Sequence, residues 1–218
     1  LVELEAYGLA VMRAAGLPTP DFRKVEFEGI RVLEVDRYDR VIAPHGAVTR
    51  LHQEDLCMAV GARPRDKYAT SPRSNTALSR LARAVYDNSL EPDLDLARFV
   101  TALVVNVAIG NCDAHARNLS LVHRDDDSIE LAPVYDVVPT YHYPSHERRL
   151  AQPINTNVFI PEMVSQQHLQ AELESWRIPN VEGILRESLE AVEAALARLP
   201  PPESPELEKL FANQRIFS

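Results

Sequence analysis

Apolar residues recur at three- and four-residue spacing along most of the chain, a period that predicts a mostly helical body. Residues 4–15 carry Leu4, Leu9, Val11 and Met12 between polar positions, a helix stopped by Gly16, Pro18 and Pro20. Segments 25–27 and 30–35 flank Glu28-Gly29, which predicts a hairpin. The chain turns polar through 34–40, loops through Pro44 and Gly46, and reaches Gln53-Glu54-Asp55 ahead of a short helix running to Gly61. Residues 63–75 are basic, polar and interrupted by two prolines, and read as a loop. A helix over 77–86 sets Leu78, Leu81 and Val85 on one face. The helix over 94–109 is apolar nearly all round, with Phe99, Val100, Leu103, Val104, Val107, Ala108 and Ile109, so it is expected to be buried.

A second hairpin is expected from apolar 119–122, a turn at Asp125-Asp126-Asp127, and 129–134. Residues 139–147 gather Tyr141, His142, Tyr143 and His146 between prolines and read as an exposed functional loop. Helices follow over 163–176 and 181–199, the latter with Val181, Ile184, Leu185, Leu189, Val192 and Leu196 on its apolar face. Pro200-Pro201-Pro202 ends it, and 207–211 makes a last short helix. Little strand signal exists outside the two hairpins. The fold class expected is α+β, mostly helical.

Composition narrows the classes. The chain is long enough for a sizeable core, and its 45% hydrophobic and 25% charged residues are ordinary for a soluble globular protein. The formal charge of −9 argues against strong nucleic-acid binding over the whole surface. No apolar run approaches the ~20 residues that span a bilayer, so no membrane partner is expected. Cys57 and Cys112 are the only cysteines; they make no disulfide framework, and a cytoplasmic setting is expected. The chain starts at Leu1 directly in a helical pattern, as expected of an excerpt from a longer protein.

The chemistry concentrates after the buried helix, in Asn111-Cys112-Asp113-Ala114-His115-Ala116-Arg117-Asn118, and after the second hairpin, in Tyr135-Asp136-Val137. Singly, Asp113 could cap a helix end, Asn118 could make a turn and Asp136 could precede the turn at Pro139. Together, an Asp, an Asn five positions on and an Asp after a hairpin form the pattern with which kinases hold a base and magnesium ligands. Asp113 then accepts or orients the proton of a substrate hydroxyl, while Asn118 and Asp136 offer oxygens to Mg2+, a hard cation. His115 is either a solvated loop histidine or a residue with a structural or phosphate-contacting role inside the loop, and so counts among the candidate catalytic and cofactor-binding residues. Arg117 is either a phosphate-neutralising cation or half of a surface salt bridge. Cys112 and His115 lack a second pair at zinc spacing. Glu5, on the first helix, is either solvated or the partner of a phosphate-binding lysine. No strand with such a lysine precedes it, and Lys24 and Lys67 follow it, so that lysine and a glycine-rich loop are expected outside this chain.

These residues resemble the HipA family of toxin kinases nearly end to end. Glu5-Ala6-Tyr7 through Gly16-Leu17-Pro18-Thr19-Pro20 is similar to that family's helix and following loop. Val35-Asp36-Arg37-Tyr38-Asp39-Arg40 resembles its Val-Glu-Arg-Phe-Asp-Arg hinge, and Arg50-Leu51-His52-Gln53-Glu54-Asp55 its Arg-Leu-Pro-Gln-Glu-Asp, with Lys67-Tyr68 matching a later Lys-Tyr pair. Residues 109–118 resemble its catalytic loop, and Leu131-Ala132-Pro133-Val134-Tyr135-Asp136 its metal-binding segment. The resemblance implies the C-terminal lobe of a fold related to protein kinases and phosphoinositide kinases. Residues 1–40 would be the remainder of an N-terminal lobe with the hinge, and 41–218 the helical lobe. It implies Asp113 as base, His115 supporting the loop, Asn118 and Asp136 on Mg2+, and backbone groups of Asp36 and Tyr38 toward the adenine of ATP. Asp stands at position 36 where the family has Glu, which a backbone role tolerates.

The expected activity is transfer of the ATP γ-phosphate to a serine or threonine hydroxyl of a protein, for which the family implies an aminoacyl-tRNA synthetase, with a DNA-binding antitoxin as partner. Two other readings stay open: a small-molecule or lipid kinase, and a non-catalytic partner-binding module.

Overall fold

In the computed structural model, residues 1–71, 73–143, 145, 147–155 and 160–217 are described; His146 lies outside them. The elements run α1 (Val2–Ala14), β1 (Phe22–Phe27), β2 (Ile30–Val35), β3 (Arg40–Ile42), β4 (Val48–Arg50), β5 (His52–Asp55), α2 (Leu56–Ala59), α3 (Leu78–Asn88) and α4 (Pro92–Ala108). They continue with β6 (Ser120–His123), β7 (Ile129–Leu131), α5 (Gln166–Ser175), α6 (Val181–Arg198) and α7 (Pro205–Asn213). Single 3-10 turns lie at Pro64–Asp66, Thr140–His142 and Pro161–Met163.

Helix α4 is the axis. Pro92 occupies its first turn, where a missing N–H leaves no bond unmade, and Asp93 and Asp95 face the positive end of the helix dipole. Leu96, Phe99, Val100, Val104 and Val107 are essentially buried, each such side chain contributing roughly 1.5–3 kcal/mol. Helices α3 and α6 flank α4. Ser188 of α6 meets Thr101 of α4 at 2.9 Å, a buried hydroxyl pair that satisfies both groups. Helix α1 belongs to the same core: Leu9, Val11 and Met12 are buried within it. The strands of the β1–β2 and β3–β4 hairpins are far more open, with Phe27, Ile30 and Ile42 at 65%, 65% and 72% exposure.

The strand content exceeds what periodicity predicts. The loop expected through Pro44 and Gly46 is the turn of the β3–β4 hairpin. Gln53-Glu54-Asp55, expected only as the lead into a helix, is strand β5, paired antiparallel with β6 from His52↔His123 to Asp55↔Ser120. Nothing local marks this polar segment as a strand; the ladder of β6, far along the chain, supplies its hydrogen bonds. Helix α5 starts later than the expected 163, because Ser165 accepts from the His168 amide and His168 answers to the Ser165 amide, a capping box. Ser204 caps α7 and Pro205 opens it, lengthening the expected 207–211 helix.

One buried carboxylate sets the central hairpin on the axis. Asp95 is 1% exposed, accepts from the Leu131 amide at 2.7 Å and is paired with Arg98 at 2.9 Å. The segment leading to Asp136 is thereby anchored to α4.

Candidate active site

The loop after α4 is shaped from its own backbone outward. Gly110 takes φ +68, and a Cβ there would lie 2.6 Å from Leu210 Cδ2 and 2.7 Å from Tyr141 Cβ, so only glycine fits. Asn111 is buried; its Nδ2 donates to Asn106 Oδ1 at 3.0 Å and its Oδ1 accepts from the Asp113 amide at 3.3 Å. The Asp113 carbonyl accepts from the His115 amide at 2.7 Å and from Asn118 Nδ2 at 3.0 Å. That second bond orients the Asn118 amide and leaves its oxygen as the donor atom for a cation. The Cys112 amide donates to Thr140 Oγ1 at 2.8 Å, and the Tyr141 amide to the Gly110 carbonyl at 2.9 Å. These bonds tie the loop to the stretch that follows Asp136.

Asp136 itself sits at φ 55, a left-handed conformation that aspartate tolerates better than most residues and that clusters at functional sites. The next residue is clamped by α1: a Cβ on Gly8 would lie 2.1 Å from the Val137 carbonyl oxygen. On the other side, Tyr135 Oη donates to the Arg117 carbonyl at 2.8 Å.

Asp113, Asn118 and Asp136 thus line one cleft of about 780 Å3, together with Tyr68, Thr70, Thr140, Tyr143 and Arg149. Asp113 and Asp136 are exposed and Asn118 is half-buried. The oxygen set suits Mg2+, which takes one or two protein oxygens and fills its shell with water and phosphate.

The remaining expected site residues lie elsewhere. His115 is 7% exposed behind the loop, its Nε2 2.6 Å from Lys67 Nζ and its ring edge-on to Tyr68. Burial and then the charge of Lys67 hold its pKa below the ordinary histidine value. It supports the loop and does not line the cleft. Glu5 is half-buried on α1, its carboxyl pushed up first by burial and then by the charge of Asp136. Lys24 is engaged by Glu3 at 2.7 Å.

Asp36 is exposed, and its amide already donates to the Asp21 carbonyl at 2.8 Å. The Arg37 carbonyl accepts from the Arg40 amide at 3.1 Å. Tyr38 packs on Leu51, Val122 and Ala132. Arg117 pairs with Asp55 at 3.2 Å and is not among the residues lining the cleft, which is the salt-bridge alternative for that residue.

Sequence reasoning assigned no site role to Tyr68, whose hydroxyl donates to Asp113 Oδ1 at 2.6 Å, or to Thr140. Lys67-Tyr68 was visible only as part of a resemblance, because 48 and 45 positions separate the two residues from His115 and Asp113.

The model of the HipA-like C-terminal domain family matches residues 1–196. Y4mE of Sinorhizobium fredii (strain NBRC 101917 / NGR234), which carries the name of a kinase, is 34% identical over 163 residues, covering 74% of this chain and 38% of Y4mE. Y4dM of the same organism, also bearing a kinase name, is 27% identical over 147 residues, 62% of this chain and 33% of Y4dM. Among solved structures, HipA of Shewanella oneidensis MR-1, from a toxin–antitoxin system complex with HipB and operator DNA, superposes with a TM-score of 0.77 at 24% identity, covering 97% of this chain and 53% of HipA. The Helicobacter pylori proinflammatory kinase CtkA gives 0.57 at 12% identity, covering 97% and 80%. The two structural likenesses show that the chain shares the fold of these two proteins. The chain spans less than half the length of Y4mE and Y4dM.

Proposed function

We propose that this chain, which belongs to the HipA-like C-terminal domain family, is the catalytic lobe of an ATP- and Mg2+-dependent serine/threonine protein kinase. The observation that carries the reading is the convergence of Asp113, Asn118 and Asp136 on one cleft from two separate segments.

Asp113, exposed at the cleft wall, accepts the proton of the substrate hydroxyl as that oxygen attacks the γ-phosphorus and ADP leaves. Asn118 and Asp136 would hold Mg2+, which when bound neutralises charge on the phosphates. His115 and Lys67 brace the loop from behind, and the 36–38 backbone offers its remaining polar groups to adenine. Residues 1–40 then act as hinge and N-lobe remainder, and 41–218 as the helical lobe. The acceptor is a protein hydroxyl, with an aminoacyl-tRNA synthetase as the substrate implied by the family resemblance. The association of Shewanella HipA with HipB and operator DNA supports a DNA-binding antitoxin as partner. No helix among the described residues is long and apolar enough to cross a membrane. The two thiols are free, and the reading sets the reaction in the cytoplasm.

The test incubates the complete protein with labelled ATP, Mg2+ and cell extract, beside Asp113→Asn and Asp136→Asn. A labelled protein band is expected, reduced on the order of 10²-fold or more by either substitution. Label confined to a lipid or small metabolite would overturn the protein-kinase reading. Equal labelling by the variants would overturn the site.

A further inference from the structure

A chain of hydrogen bonds runs from the 36–39 segment to the catalytic loop, with every donor pointing the same way. Tyr38 Oη donates to Gln53 Oε1 at 2.8 Å, and Gln53 Nε2 donates to Ser120 Oγ at 3.0 Å. Ser120 Oγ lies 2.6 Å from Tyr135 Oη, which donates to the Arg117 carbonyl at 2.8 Å. Tyr135 has one hydroxyl proton, and Arg117 takes it; Ser120 therefore donates to Tyr135 and must accept from Gln53. Both ends of the Gln53 amide are committed, so its orientation is fixed. Ser120, at the centre, is 1% exposed, and in such surroundings each link is strong and each broken link costly. The Tyr38 and Tyr135 rings stack alongside, 6.4 Å apart and 28° from parallel.

The ends of this chain matter. Arg117 immediately precedes Asn118, and Tyr135 immediately precedes Asp136. We propose that Gln53 is a positioning residue at the centre of a relay that couples a nucleoside bound at 36–38 to the placement of Asn118 and Asp136. An adenine that orders the 36–38 backbone fixes Tyr38. Gln53 and Ser120 pass that restraint to Tyr135, which holds both flanking segments at once. Gln53 does not line the cleft, and the 50–55 motif that contains it carries no site role in the sequence; the β5–β6 ladder, with Gln53↔Val122, brings it between the two tyrosines. The inference rests on the phosphotransfer reading above.

The experiment uses the complete protein with adenosine as probe, since adenosine carries no phosphate and engages no metal. Amide hydrogen exchange at residues 115–118 is expected to slow about 5-fold or more on adenosine binding, and to lose that response in Gln53→Met and in Tyr135→Phe. In the labelled-ATP assay each variant should lower kcat about 10-fold, with the double variant no lower than either single. Unchanged exchange in an adenosine-bound wild type that still transfers phosphate overturns the relay and leaves the kinase reading standing. So do effects on kcat that multiply in the double variant. A wild type that transfers no phosphate overturns the kinase reading and the relay with it.

Discussion

The phenolic hydroxyl of Tyr68 donates a 2.6 Å hydrogen bond to Asp113 Oδ1. The bond joins a loop that looks merely basic and irregular to the residue proposed as general base. The same loop donates Lys67 Nζ to His115 Nε2 at 2.6 Å and accepts the Ala116 amide through the Lys67 carbonyl at 3.1 Å. Loop 67–70 is therefore a strap across the 111–118 loop.

Tyr68 fixes one oxygen of Asp113 and leaves the other, in the proposed reaction, for a substrate hydroxyl. Burial and the Asp113 partner push the Tyr68 phenol up to about 12, so it remains a donor throughout the physiological range. Tyr68→Phe keeps the ring against His115 and removes only the hydroxyl. Turnover in the labelled-ATP assay should fall about 10-fold with nucleotide affinity unchanged, a loss typical of a misaligned base. An equal loss of nucleotide affinity would mean that Tyr68 binds nucleotide instead of orienting Asp113.

Gly8 should be intolerant of any side chain. A Cβ 2.1 Å from the Val137 carbonyl cannot be accommodated by a side-chain rotation, because the obstacle is backbone. Gly8→Ala is expected to destabilise by about 1–3 kcal/mol in urea unfolding and to displace Asp136. Phosphotransfer should therefore fall further than the unfolded fraction explains. Gly46→Ala is a useful contrast, since open space surrounds that position and only its φ of +85 is strained.

The acid limb of stability should carry a signature of Asp39. Its carboxylate is 5% exposed, accepts both Arg37 Nε and Arg37 Nη2 at 2.8 Å and also meets Arg40. The Arg37 hydrogen bonds, opposed by burial, hold its pKa at about 2, below the ~3.9 of an unfolded chain. The unfolded chain thus binds the proton more readily. The stabilisation is present in full above pH ~4 and is lost as pH falls through about 2. Exposure of Arg37 limits it to about 1–2 kcal/mol. Comparing Asp39→Asn with the wild type in urea from pH 6 to pH 2 should show a difference that shrinks on acidification.

His115 acts in a higher window with a related sign. Its folded pKa is depressed, first by burial and then by Lys67, so the unfolded chain binds the proton more readily near its ordinary ~6.5. Stability should rise with pH through that region and decline as pH drops below it, because protonation sets a second cation against Lys67. Thermal unfolding midpoints measured at pH 7.5 and pH 5.5 should differ more for the wild type than for His115→Gln. An equal pH dependence in the two proteins would mean that the imidazole is not held neutral in the fold.

The helical lobe was legible because its signals are local. The apolar period around Phe99 and Val104, the Gly16 stop and the Glu28-Gly29 turn each lie within a few residues of what they specify. The order Asp113, Asn118, Asp136 was legible for a related reason: a hairpin between two motifs returns the chain to where it left. The β5 strand, the strap carrying Lys67 and Tyr68, and the chain from Tyr38 through Gln53 and Ser120 to Tyr135 were not. Each depends on partners dozens of positions away, and a polar residue carries no mark of which distant donor or acceptor it will meet.

By itself, then, the sequence determined the helices, the core faces and the identity of the three oxygen-bearing residues, because periodicity and turn chemistry act over a few residues. Only the tertiary structure decided that those residues share one cleft, that Tyr68 grips Asp113, that Arg117 turns to Asp55 and that His115 is a buried brace. Those are outcomes of burial and hydrogen-bond satisfaction among segments that meet only when the core around α4 closes.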